Sequence, residues 1–214
     1  MIKTKYSRWY AIVLIVLALI ITSYVLVANR NEMVAVHKEK LSLSTIKPLP
    51  ELKVGDVILR MGVGVDSVVI AKLSNSKFSH VGIISQVHPD IMVTHATTAD
   101  DAGSAFDGVI KIKLANFVSQ SERLAIVRYE QLPKASQEQI QSYLSFQEGK
   151  PFILSTDSNA LYCSNLVLAA LKDHVKLKIE PQQVQLALFQ GPYIMPQAFL
   201  DDPNASLIYY YPQQ

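Results

Sequence analysis

One cysteine and two histidines set the chemistry open to this chain. Cys163 is the only cysteine among 214 residues and lies in the run LYCSNLVLAAL, at the start of an apolar helical pattern. It has no partner for an intrachain disulfide, so it is either a small buried hydrophobe or a working thiol. A free thiol has a pKa of about 8.5 and attacks only as the thiolate. A helix N-terminus favours that anion, and a neighbouring imidazole can take the proton. Asp157 and Ser158 precede a run of helix formers, which puts Cys163 close to a helix start. His80 opens the strand-like run HVGIIS, and His95 lies in IMVTHAT on the next strand pattern. At a strand end beside Ser79, His80 can serve a local hydrogen bond or act as a base. Two antiparallel neighbours can bring His80 and His95 side by side, as a base and a group that fixes its tautomer. His37 falls in a polar tether, His88 in an exposed turn and His174 beyond the Cys163 helix, so these three are set aside.

The elements that must position these groups begin after Pro50. LKVGDVILR reads as a strand entered through a Gly-Asp turn, and Val65, Val68, Val69 and Leu73 have the spacing of a short amphipathic helix. A strand-rich block follows: HVGIISQV, a His-Pro-Asp turn, IMVTHAT, GVIKIKL and RLAIVRY. Short β-branched runs bounded by turn residues predict an antiparallel sheet. After Pro133 the pattern turns helical in KASQEQIQSYLSFQEG, with Ile140 and Leu144 on one face and Gly149 placed to end it, and again in LYCSNLVLAALKDH. SLIYYY near the C-terminus predicts a last edge strand. Helices segregated from strands in this way predict an α+β domain over 51–214.

The N-terminal part has a different character. Residues 9–28, WYAIVLIVLALIITSYVLVA, run 20 positions without a charge, about 30 Å as a helix and enough to cross a bilayer. Lys3, Lys5 and Arg8 in the basic flank 1–8 precede the run, and Trp9 and Tyr10 sit where an interfacial belt would lie. The run exceeds the apolar core of a signal peptide, and Leu26 occupies the −3 position of the only small-residue end, so an uncleaved single-pass anchor is expected. The basic flank predicts a cytoplasmic N-terminus and an exported domain, which in a bacterium places it at the periplasmic face of the inner membrane. Residues 29–50, closing with KPLP, read as a linker.

Charge and cysteine count exclude other classes. The whole chain has 20 Lys and Arg against 18 Asp and Glu; setting aside Lys3, Lys5 and Arg8 leaves 17 against 18. A near-neutral domain lacks the basic patch that nucleic acid requires. No C-x-x-C pair exists, so no structural zinc site is expected, and no cofactor either.

The ordered segments GDVIL (55–59), FSHVGII (78–84), a polar residue on the following strand, GVIKIKLANFV (108–118) and GKPF with LYCSNLV (149–167) carry a resemblance. Together they resemble the permuted members of the NlpC/P60 papain-like superfamily, above all the YiiX/YaeF-type hydrolases and more distantly the lecithin:retinol acyltransferase-like proteins. The resemblance spans roughly residues 50 to 170. It implies a circularly permuted papain-like fold, Cys163 as nucleophile, His80 as general base and His95 at the third, orienting position. A glutamate often stands at that third place, so His95 is a departure that orients without adding negative charge. Asn165 replaces the glutamate of a YCSELV-type motif. Tyr162, beside the nucleophile, is placed either to help form an oxyanion site with the Cys163 N–H or to pack against the sheet.

The expected function is a membrane-anchored cysteine amidase or peptidase acting through an acyl-enzyme on cell-envelope peptides or acylated amines. The competing readings are a lipid-directed acyltransferase or thioesterase, and a binding module that retains the fold without catalysis.

Overall fold

Alternation along the strands gives the sheet two apolar faces, and the chain covers both. The computed structural model describes residues 41–46, 48–98, 106–130, 132–157, 159–185 and 190–212. Eight strands and five helices are described: β1 (Val57–Gly62), α1 (Val65–Leu73), β2 (His80–Gln86), β3 (Met92–Thr97), β4 (Gly108–Lys113), α2 (Leu114–Ser119), β5 (Ser121–Arg128), α3 (Lys134–Gln147), α4 (Cys163–Leu171), β6 (Gln182–Gln185), β7 (Gln190–Tyr193), α5 (Gln197–Asp201) and β8 (Ser206–Tyr211). Six strands form one sheet in the order β4-β3-β2-β1-β5-β8, and every neighbouring pair is antiparallel. A separate hairpin joins β6 to β7.

Successive residues of a strand point to opposite faces. On one face Val57, Leu59, Val81, Ile83, Ala96, Val109, Ala125 and Val127 meet Ile140 and Leu144 of α3 and Leu166, Val167, Ala170 and Leu171 of α4. These helical residues recur at three- and four-residue spacing, so each helix buries one stripe. On the other face Ile58, Ile84, Val93, Leu124 and Ile126 meet Leu114, Phe117 and Val118 of α2, together with Leu41, Ile46 and Leu52.

That second face changes a boundary. Leu41 and Ile46 are buried in it, the Leu41 amide donates to the Ser121 carbonyl, and the Tyr209 hydroxyl donates to the Ile46 carbonyl. Residues 41–46 and 48–50, within the stretch expected as linker through Pro50, thus fall in the compact unit. The expected membrane span, residues 9–28, lies outside the described residues. Among those described, no helix is long and apolar enough to cross a membrane.

Both long-range clamps on β1 are polar. At its entrance Asp56, 2% exposed, accepts two hydrogen bonds from Arg128 at 2.7 and 2.8 Å and one from the Lys53 amide at 2.7 Å. A buried carboxylate is tolerable only when paired and saturated in this way. At the far end of the strand Arg60 lies buried beneath α2, and it is there that the candidate site is built.

Candidate active site

β1 and β2 pair so that Arg60 stands opposite His80 and Leu59 opposite Val81. The ladder from β2 to β3 runs only from Ile83↔Thr94 to Gln86↔Met92, whereas β3 continues along β4 to Thr97↔Gly108. His80 and Val81 therefore lie beyond the end of the β2–β3 ladder. There the two histidines meet: His80 Nε2 and His95 Nδ1 are 2.8 Å apart, with the rings nearly perpendicular at 85°. His95 is fully buried and His80 half-buried. The ring of Phe117 from α2 packs against both, with centroids 6.0 Å from His80 and 5.3 Å from His95.

Gly82 makes the histidine pair possible. A Cβ at this position would lie 2.7 Å from Val93 Cγ1 and 3.3 Å from His95 Cβ. The missing side chain lets β3 bring His95 close enough to reach the ring two residues earlier on β2. Gly82→Ala is expected to displace His95 and lower amidase kcat/KM at least tenfold, with a stability loss of about 1–3 kcal/mol from overpacking. Steady-state kinetics beside thermal unfolding of the variant would check both parts.

Cys163 is the first residue of α4, which packs on β2 and β3 from the opposite face. The thiol is half-buried and lies 3.8 Å from the Ser164 hydroxyl. The Val81 and Ser164 amides also favour its anionic form. α4 packs on β2, so the sulfur comes near the residue next to His80. Among the described residues the Ser164 hydroxyl is its hydrogen-bond contact, and a direct Cys163–His80 hydrogen bond is not formed. Burial raises the thiol pKa above its ordinary value, while the Ser164 hydroxyl, the two amides and the Arg60 charge pull it back. Burial holds His80 well below 6.5, with Arg60 and then His95 pushing the same way. These directions favour a neutral Cys163 thiol and a neutral His80 imidazole at rest, and not a preformed thiolate–imidazolium.

The Tyr162 side chain is buried. Its hydroxyl accepts from the Ile194 amide at 3.1 Å, and its ring meets Tyr193 at 6.1 Å, so the phenol is held by the segment after β7. Asn165, at the glutamate position of the motif, donates to the Ala160 carbonyl at 3.3 Å and ties the first turn of α4 to the loop before it. Sequence reasoning missed Arg60, Phe117 and Ser164. Phe117 stands within the segment GVIKIKLANFV, but no helix was expected there. Arg60 read as the polar end of a strand, although it is 4% exposed.

Comparison with known proteins bears on the family and the fold. No curated protein matches the chain. Among solved structures, the crystal structure of metalloprotein YiiX from Escherichia coli O157:H7 is similar in fold, with a TM-score of 0.61 at 18% identity over 73% of this chain and 96% of that one. Residues 51–209 match the family described as permuted papain-like amidase enzymes, YaeF/YiiX, C92. A thiol at a helix start beside a histidine-bearing strand, and a family match over most of the length, lead to one assignment: the chain belongs to the permuted papain-like cysteine amidases of the YaeF/YiiX family.

Proposed function

We propose that the chain hydrolyses an amide bond through an acyl-enzyme on Cys163, with His80 as general base and His95 holding the base in its working tautomer. The observation that carries this reading is the 2.8 Å His80–His95 pair on the two strands, β2 and β3, against which the helix opened by Cys163 packs. His80 Nε2 is engaged by His95, which leaves Nδ1 for the substrate side. For Nδ1 to hold a lone pair, Nε2–H donates to His95 Nδ1 and His95 keeps its own proton on Nε2.

In the first step sulfur attacks the carbonyl carbon while His80 Nδ1 takes the thiol proton. The C–N bond then breaks, and His80 returns the proton to the leaving amine. Water, deprotonated by His80, attacks the thioester and releases the carboxylic acid and the free thiol. The structural neighbour is a metalloprotein by its title. Here no three His, Cys, Asp or Glu side chains converge among the described residues, so a metal does not fit them and no step is routed through one.

Acylated amines and envelope peptides are the substrates this reading favours. Ile153 and Leu154 are 41% and 40% exposed, and Ile153 pairs with Leu161, two residues before the nucleophile, so apolar surface flanks the approach to Cys163. The apolar run 9–28 supports an anchor that would hold the domain at the extracytoplasmic face of a membrane.

The pH profile tests the mechanism. The active form carries one proton on the thiol–imidazole pair. With His80 below its ordinary value and Cys163 above its own, kcat/KM should form a broad bell, its acid limb below pH 6.5 and its alkaline limb above about 8.5. Folding stability follows the same histidine. As pH falls below 6.5 the unfolded chain binds a proton that folded His80 refuses. The stability present above 6.5 is therefore lost progressively from there down to the lower folded-state pKa. An acid limb at or above 6.5 would contradict the neutral-pair mechanism.

A further inference from the structure

We propose that Ser164 is a positioning residue for this reaction, its buried hydroxyl being the fixed hydrogen-bond donor to the Cys163 sulfur whenever that atom carries negative charge. The proposal rests on the acyl-enzyme reading above. The Ser164 side chain is fully buried, and its oxygen lies 3.8 Å from Cys163 Sγ, a hydrogen-bond distance for sulfur. Among the described residues the sulfur is the one hydrogen-bond contact of that hydroxyl. The buried stripe of α4 consists of Ser164, Leu166, Val167, Ala170 and Leu171, so the serine is its single polar member.

Helix formation and packing do not explain a serine here. Serines at helix starts commonly cap an amide, but the N-cap of α4 is Tyr162 and no side chain caps it. Alanine is the better helix former and brings no hydroxyl to bury. A hydroxyl among apolar side chains is tolerable when its proton finds an acceptor, and the sulfur supplies one. A neutral thiol accepts weakly, whereas a thiolate accepts a charge-assisted hydrogen bond of about twice the ordinary strength. The contact therefore tightens when His80 takes the thiol proton. It tightens again when water has added to the thioester and the sulfur is expelled. Ser164 keeps its own proton in both steps. The ionisable groups around the thiol are few. Tyr162 precedes it, β2 presents His80 and β3 presents His95, Arg60 stands on β1, and α3 adds Tyr143, its Lys134 and Glu138 being exposed. α4 itself carries no other ionisable residue.

The test compares Ser164→Ala and Ser164→Thr with the wild-type full-length chain. Cys163 is the only cysteine, so alkylation by iodoacetamide across pH reads this thiol alone. Loss of the donor should move the alkylation curve of Ser164→Ala upward by about one pH unit, the scale of one hydrogen bond to a charged group. Its kcat/KM should fall about tenfold at neutral pH, mainly in kcat, and recover towards wild type at high pH. Ser164→Thr keeps the hydroxyl and should hold the wild-type curve. Thermal unfolding shows whether its extra methyl fits; where it does not, Ser164→Ala decides alone, since it adds no atom. A purely structural serine would lower the height of the profiles without moving them, and that result overturns the proposal. Alkylation needs no turnover. Absence of an acyl-Cys163 species would refute the amidase reading, and an unmoved alkylation curve this proposal alone, so the two failures are distinguishable.

Discussion

Cys163→Ala is expected to lower kcat/KM for amide hydrolysis by about 10⁴-fold or more, to the level that binding and backbone donors alone sustain. No second nucleophile stands in reserve. Cys163 is the only cysteine, and the neighbouring Ser164 hydroxyl is fully buried. Cys163→Ser should be as inactive, because a hydroxyl lacks the acidity and nucleophilicity that let a neutral imidazole activate a thiol. The fold should survive both changes. The side chain is half-buried, and removing one sulfur atom should cost on the order of 1 kcal/mol. Steady-state kinetics beside thermal unfolding separates the effects; a fall in activity that tracked unfolding would make Cys163 a packing residue.

His80→Ala is expected to cost about 10²–10⁴-fold in kcat/KM, the usual contribution of a positioned general base. The loss should lie mainly in kcat, since the imidazole moves protons during the reaction. At high pH, where hydroxide generates the thiolate without help, part of the loss should be recovered. His95→Ala should be milder, about 10–100-fold, because His80 keeps its place on β2 but loses the acceptor that fixes its tautomer. His95→Glu restores an acceptor and adds negative charge at the third position. It should keep activity while moving the acid limb to higher pH, since a carboxylate stabilises imidazolium. Equal losses in His80→Ala and His95→Ala, with no difference in pH profile, would contradict the division of roles between them.

The residues to which the proposed chemistry is assigned stand out in the sequence because their signals are local. A solitary cysteine at a helix start, a histidine opening a strand followed by glycine, and a second histidine on the next strand all follow from spacing. The extra value of Gly82 lies across the sheet, in the approach of Val93 and His95, and no local pattern displays it. The same limit hid Arg60. Its polarity suits a strand end, and only the α2 helix laid over that end buries it. α2 itself was missed because LANFVS is six residues long and follows directly on a strand with alternating apolar positions. The segment at 41–46 read as linker because it is short and polar between its few apolar residues, yet Leu41 and Ile46 find their partners on distant β5 and β8. The β6–β7 hairpin escaped for the opposite reason. Its strands have only four residues each and are rich in glutamine, so they carry little β signal. Tyr162 was open to an oxyanion or a packing role by its place beside the cysteine, and no local pattern displays the Ile194 amide, far along the chain, that donates to its hydroxyl.

The central claim is the covalent intermediate on Cys163. The most direct measurement is peptide mapping by mass spectrometry of the full-length chain, quenched in acid during turnover of acyl 4-nitroanilides that release nitroaniline. A single adduct of acyl mass is expected on the peptide containing Cys163, removed by hydroxylamine as a thioester is. It should be absent from Cys163→Ala and strongly reduced in His80→Ala. Turnover that proceeds with Cys163 unmodified, or that persists in Cys163→Ala, would contradict it.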